Sequence, residues 1–205
     1  MSLWELEEKC WADGCRLVCG VDEAGAGPLA GPVYAGAVIL PRYIEFKWLN
    51  DSKQVTEKRR EILFDEIKEQ ALAWAVAAVT AEEIDQTDIL SARMKAMQMA
   101  IDRLEPSPDF VLVDGNRDKG RSSSIQTPHR CVIKGDSLSA SVAAASILAK
   151  VSRDRYMVKM AEQYPEYGFE RHKGYGTKLH YAKLDQYGPS PIHRKSFLAK
   201  WEGRK

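Results

Sequence analysis

The sequence predicts an α/β fold, a central mixed sheet covered by helices, and three observations predict it. Short apolar runs, each about the length of a strand, recur from residue 16 to residue 136. Between and after them lie longer segments whose apolar residues repeat at helical spacing. Their order mixes a hairpin with crossover units. A mixed sheet with helices packed on it accommodates both.

The elements follow in order. Residues 2–12 read as a short helix with Ser2 as its cap. "RLVCGVD" is the first strand and "VYAGAVIL" (33–40) the second, joined by a Gly- and Pro-rich connection. Pro41 closes the second run, and "NDSKQVT" (50–56) is loop. Thr56 caps the next helix, "EKRREILFDEIKEQ", in which Ile62, Leu63 and Ile67 mark the apolar side. "LAWAVAAVT" (72–80) is a third strand. A helix over 88–104 ends at "EPSP", and "FVLVDG" (110–115) follows as a fully apolar strand. A polar loop over 115–128 leads to "CVIKGD" (131–136), the last strand candidate. The longest helix spans 137–163. Its Ala- and Ser-rich first half lets the helix backbone approach a sheet closely. A last helix, 177–187, has Thr177 as N-cap and Gly188 just past its end.

The 205 residues, 44% of them hydrophobic, suit one compact unit that buries a substantial core. Net charge is only +1, but acidic residues crowd 57–88 while 171–205 is rich in Lys, Arg and His. That asymmetry fits either a polyanion partner or a solvated surface. The four cysteines, Cys10, Cys15, Cys19 and Cys131, form no C-x-x-C pair, which argues against zinc and for reduced thiols in a cytoplasmic protein. "MSLWELEEKC" lacks the basic and apolar parts of a signal peptide, and "LAWAVAAV" is too short to span a membrane.

The stretch "VCGVDEAGAGPLAGPV" (18–33) sets adjacent carboxylates before a glycine-rich turn. Gly25, Gly27 and Ala30 fit a dinucleotide fingerprint, which requires a helix at that point. Pro28 and Pro32 flank Ala30 and a strand-like run follows, so the fingerprint is rejected. A metal site is the other reading. Asp22, Asp114 and Asp136 each stand at the end of a predicted strand, and Glu23 adjoins Asp22. In a regular strand Asp22 and Glu23 point to opposite faces, so a bend at the turn is needed to unite them. Each residue also has a plainer reading: Asp114 as a turn starter, Asp136 as the long helix's N-cap, Asp22 and Glu23 as solvated loop. If the four do meet, repulsion is large. Two carboxylates ~4 Å apart repel by roughly 4 kcal/mol at an effective dielectric near 20. Either protons enter such a site or divalent metals do; all-oxygen ligands favour hard ions, Mg²⁺ or Mn²⁺, over zinc, and two such ions balance four carboxylates.

At these residues the sequence resembles the bacterial ribonuclease HII family, ribonuclease H type 2. The resemblance rests on "GVDEAGAGPLAGPV", "DSKQVTEKRRE", "VLVDGN", "IKGDSLSASVAAASILAKVSRDRYM", "HKGYGT" and "GPSPIHRKSF", which run in order from residue 20 to 197. It implies a ribonuclease H-like core with a five-stranded mixed sheet over 1–175 and a helical C-terminal extension over 176–205. It implies that Asp22, Glu23, Asp114 and Asp136 bind Mg²⁺ or Mn²⁺, with Asp22 touching both ions. It implies cleavage of the RNA strand of RNA–DNA hybrids, and nicking of duplex DNA 5′ to an embedded ribonucleotide. The backbone of the glycine turn (Gly25, Ala26, Gly27) is then expected against the substrate ribose, and Tyr175 on the neighbouring sugar.

One position departs from the family's Gly-Arg-Gly motif, which has arginine where this chain has Ala26. Loss of that guanidinium is expected to weaken substrate affinity or junction preference while sparing the fold. Ser52, Lys53, Lys173, His193, Arg194 and Lys195 are candidate phosphate contacts, although 193–195 also suit a cap or surface face. Lys150 and Arg153 are expected to pair with Asp154 or Glu162, and His172 and His180 to be surface residues. A monomer is expected. The rival function is a catalytically impaired hybrid-binding module.

Overall fold

The computed structural model describes residues 2–49, 55–115 and 124–203. Its strands are β1 (Val18–Ala24), β2 (Val33–Ile39), β3 (Ala73–Val79), β4 (Phe110–Asp114) and β5 (His129–Val132). They form one five-stranded sheet in the order β3-β2-β1-β4-β5. The β1–β2 and β2–β3 pairs are antiparallel, and the β1–β4 and β4–β5 pairs are parallel. The predicted mixed sheet is therefore present, and the C-terminal ends of β1, β4 and β5 share one edge.

The helices are α1 (Glu5–Ala12), α2 (Glu57–Gln70), α3 (Ala81–Gln86), α4 (Ile89–Ile101), α5 (Ala140–Gln163), α6 (Phe169–His172), α7 (Lys178–Tyr187) and α8 (Ala199–Glu202). On one face of the sheet, Cys19, Val21, Val111 and Val113 pack with Met94, Met97 and Ala100 of α4. On the other, Val38 packs with Leu63 and Ile67 of α2 and with Ala144, Ile147 and Leu148 of α5. The α5 backbone lies almost on the sheet. A Cβ added at Gly20 would fall 2.2 Å from the Val142 nitrogen, and one at Gly36 would fall 2.4 Å from the Ala145 carbonyl oxygen. The small residues expected to permit this approach are those that make it. A third cluster joins Leu29 after β1 to Met157, Phe169, Leu184, Leu198 and Trp201.

Several caps stand as predicted: Thr56 on α2, Thr177 on α7, and Gly188 past its end. Other boundaries moved. The first helix begins at Glu5, and Ser2 instead accepts a hydrogen bond from the Trp4 N–H. A separate helix, α3, precedes α4 and is closed by a capping box between Thr80 and Glu83. β5 ends at Val132, because Lys134 takes a left-handed conformation (φ 56°) that breaks the extended run. Asp136 therefore sits in a 3₁₀ turn, Gly135–Ser137, and not at a strand end. It is not the N-cap of α5 either, since Ser139 accepts from the Val142 N–H there.

Candidate active site

Asp22 and Glu23 lie inside β1, which continues to Ala24 without the bend that the sequence suggested. Alternation decides where they point. Gly20 faces α5, so Asp22, two residues on, shares that face. Glu23 turns to the α4 side, where its Oε2 accepts from the Arg93 guanidinium at 2.8 Å. Asp114 ends β4, the parallel neighbour of β1. Its Oδ1 accepts from the Gly135 N–H at 2.6 Å, which ties β4 to the turn that carries Asp136. Asp22 accepts from the Glu23 N–H at 2.7 Å.

The sheet edge thus brings the four carboxylates into one electrostatic neighbourhood. Burial pushes Asp22 well above the usual carboxylate range, and Glu23, Asp114 and Asp136 add to the shift. Burial likewise raises Glu23, against the pull of Arg93. It raises Asp114, with Asp136 adding to the rise and the Gly135 N–H opposing it. Among the described residues no three His, Cys, Asp or Glu side chains stand ready to hold one ion. The donor set still suits a hard divalent cation: all oxygen, buried or half-buried, and short of positive charge.

The edge opens into a groove of about 440 Å³ lined by Glu23, Gly25, Ala26, Gly27, Arg60, Asp136, Lys150 and Tyr175, among others. The glycine turn and Tyr175 therefore share a surface with two of the carboxylates. Tyr175 is 42% exposed, with Lys150 Nζ 5.9 Å and the Arg153 guanidinium 5.7 Å from its ring centre. Lys150 also pairs with Asp154 at 2.8 Å, as expected. Lys173 is half-buried and donates to the Glu170 carbonyl. Ser52 and Lys53 lie outside the described residues.

His193 and Arg194 are placed differently from the phosphate contacts expected of them. Both are buried. Arg194 donates to the carbonyls of Gly25 (2.6 Å), Ala26 (3.2 Å) and Gly31 (2.9 Å). Burial, with repulsion from Arg153, lowers its pKa to about 9, so it stays charged at neutral pH. Among the described residues Arg153 forms no ion pair with a carboxylate; it donates to the carbonyls of Ala30, Pro32 and Lys173. Lys195 gives its N–H to Asp85.

His172 and His180 are buried too, against the surface expectation. Their tautomers follow from the donors around them. His193 Nδ1 accepts from the Ser190 N–H, so His193 Nε2 donates to His180 Nε2 at 2.9 Å. His180 Nδ1 then donates to the Tyr175 carbonyl. His172 Nδ1 accepts from the Gly174 N–H, leaving Nε2 to donate to Tyr167. These imidazoles hold the tyrosine loop from beneath. Sequence reasoning missed them in this role, along with Arg93 and Arg60. Their partners stand far away in the chain or on its backbone, and neither leaves a local pattern.

Comparison with known proteins agrees with this fold. The family model described as ribonuclease HII matches residues 19–200. A ribonuclease HII from Caldicellulosiruptor saccharolyticus is 51% identical over 197 residues, covering 96% of this chain and 94% of the relative. Among solved structures, the ribonuclease H2 of Pyrococcus horikoshii superposes with a TM-score of 0.76 at 29% identity, covering 92% of this chain and 98% of that one. Bst-RNase HIII in complex with Mn²⁺ shares the fold, with a TM-score of 0.66 at 18% identity, over 91% of this chain and 68% of that one. With nearly its whole length matched and the carboxylates gathered where the parallel strands end, this chain belongs to the ribonuclease HII family of metal-dependent endoribonucleases.

Proposed function

We propose that Asp22, Glu23, Asp114 and Asp136 hold two Mg²⁺ or Mn²⁺ ions, and that the chain uses them to cut the RNA strand of RNA–DNA hybrids and to nick duplex DNA 5′ to an embedded ribonucleotide. The observation that carries this reading is the gathering of four mutually repelling carboxylates beside a groove lined by the glycine turn and Tyr175. Divalent ions, when bound, supply activation of a water and stabilisation of the departing 3′-oxygen. The chain's own groups do the rest. Arg93 restrains Glu23, and the Gly135 N–H restrains Asp114. Gly25, Ala26 and Gly27 offer backbone to a ribose, and glycine admits that approach because it has no side chain. Tyr175, Lys150 and Arg60 line the same groove and suit a sugar and its phosphates.

A hybrid-binding module without chemistry has no use for four clustered acids, and that alternative is not favoured. We place the chain in the cytoplasm as a monomer. Among the described residues no disulfide joins its cysteines, which is in keeping with that compartment, and no helix is long and apolar enough to cross a membrane.

The test is Asp22→Asn or Asp114→Asn. Each is expected to slow hybrid cleavage at saturating Mg²⁺ by about 10³-fold or more, the equivalent of roughly 4 kcal/mol of transition-state stabilisation. Each is also expected to shrink the rise in melting temperature that Mg²⁺ or Mn²⁺ gives the unaltered chain. Undiminished cleavage and cation-linked stabilisation in both variants would contradict the assignment.

A further inference from the structure

We propose that Arg194 is a positioning residue for ribose recognition: its buried guanidinium turns the peptide planes at 25–27 so that the N–H groups of Ala26 and Gly27 face the groove as a polarised donor pair. This rests on the reading that the groove takes a ribonucleotide-containing duplex. In a trans peptide the C=O and the following N–H point in opposite directions. The carbonyls of Gly25 and Ala26 both turn inward to Arg194. The N–H groups of Ala26 and Gly27 must then point away from it, toward the groove that both residues line. Among the described residues neither N–H has a hydrogen-bond partner.

Asp85 attracts the charge behind these amides only at longer range. Among the described residues no carboxylate forms an ion pair with Arg194 or with Arg153 beside it. The nearby acids are engaged elsewhere: Asp154 with Lys150, and Asp85 with the backbone of Lys195 and Ser196. A cation hydrogen-bonded to a carbonyl polarises the amide and strengthens its N–H as a donor. Two such amides, side by side at the groove, suit an oxygen with free lone pairs. A 2′-hydroxyl meets that need, and it is what separates a ribonucleotide from its deoxy counterpart. Arg153 braces the far end of the same loop at Ala30 and Pro32 and links it to Lys173, two residues before Tyr175.

Two variants test the proposal. Arg194→Lys keeps the charge and loses the fork that reaches the carbonyls. Gly27→Pro removes one N–H at an exposed position where an added Cβ meets nothing within 4 Å and φ lies outside the left-handed region. Fluorescence anisotropy, with EDTA present to stop cleavage, would measure the affinity of each protein for a DNA duplex carrying one ribonucleotide and for the same duplex in all-DNA form. The unaltered chain is expected to prefer the first. Both variants, with melting curves showing them folded, are expected to lose about tenfold of that preference, as for a lost recognition hydrogen bond, with all-DNA affinity nearly unchanged. A preference retained in the variants, an equal fall in both affinities, or no preference in the unaltered chain would overturn the proposal. If Arg194→Lys fails to fold, Gly27→Pro carries the test alone. Cleavage of the ribonucleotide duplex by the unaltered chain in Mg²⁺ separates the two claims. Its absence, with the preference and its loss intact, would overturn the nuclease reading and leave Arg194's role standing.

Discussion

Ala26 shows what one residue can change without touching the fold. It lines the groove half-buried, and its carbonyl is held by Arg194 whatever its side chain is. Among the described residues, the basic side chains left in the groove lining are those of Arg60 and Lys150. Restoring the family arginine, Ala26→Arg, is expected to tighten hybrid binding by about tenfold, the worth of one charge-assisted contact; unchanged affinity in a binding titration would mean that the position never faced the backbone. The histidines make the opposite lesson. In sequence they look like surface residues, yet burial lowers the pKa of both His180 and His193 to about 4. Their ring NMR resonances are expected to stay at neutral-imidazole values from pH 7.5 down to 5. A titration centred near 6.5 would contradict the neutral chain of hydrogen bonds that supports Tyr175. Nothing near either histidine in sequence gives this away, because the burial that lowers both comes from packing against Phe169 and against each other.

At the scale of elements, β1 and α5 set the site together. β1 carries Asp22 and Glu23 to the edge, and α5 lies against it so closely that Gly20 has no room for a methyl group. Gly20→Ala is expected to cost about 1–3 kcal/mol or more, since the atoms in the way are helix backbone and cannot rotate aside. A chemical-denaturation midpoint equal to that of the unaltered chain would refute the packing. Element identity was largely legible in the sequence: apolar runs marked the strands, and Thr56 and Thr177 marked helix starts by their side-chain chemistry. The Thr80–Glu83 capping box was legible too, as T-x-x-E, but the short helix behind it carries too little periodicity to stand out. The error at Asp136 has a different cause. "CVIKGD" reads as one extended run, and only Lys134's left-handed backbone, which is not coded by its residue type, ends the strand early and swings Asp136 into a turn.

For the whole molecule, sheet order is what converts separate motifs into a site. Asp22 and Asp114 are 92 positions apart, and parallel pairing of β1 with β4 makes them neighbours. The C-terminal segment completes the other wall. The Gly31 N–H donates to Ile192 and the Arg194 N–H to Leu29, so the chain's end buttresses the loop that follows its first strand. The four carboxylates were legible because their local motifs are distinctive. The clamp behind the glycine turn was not, because it joins side chains to main-chain carbonyls, which every residue type carries. The measurement that tests the account most directly is cleavage of a DNA duplex carrying one ribonucleotide, beside all-DNA and RNA–DNA hybrid controls, in Mg²⁺, in Mn²⁺ and in EDTA. The expected result is a nick 5′ to the ribonucleotide and cutting of the hybrid's RNA strand, both dependent on the divalent ion, with the all-DNA duplex intact. A folded protein that leaves the ribonucleotide duplex and the hybrid uncut in both metals, or that cuts all-DNA equally well, would contradict it.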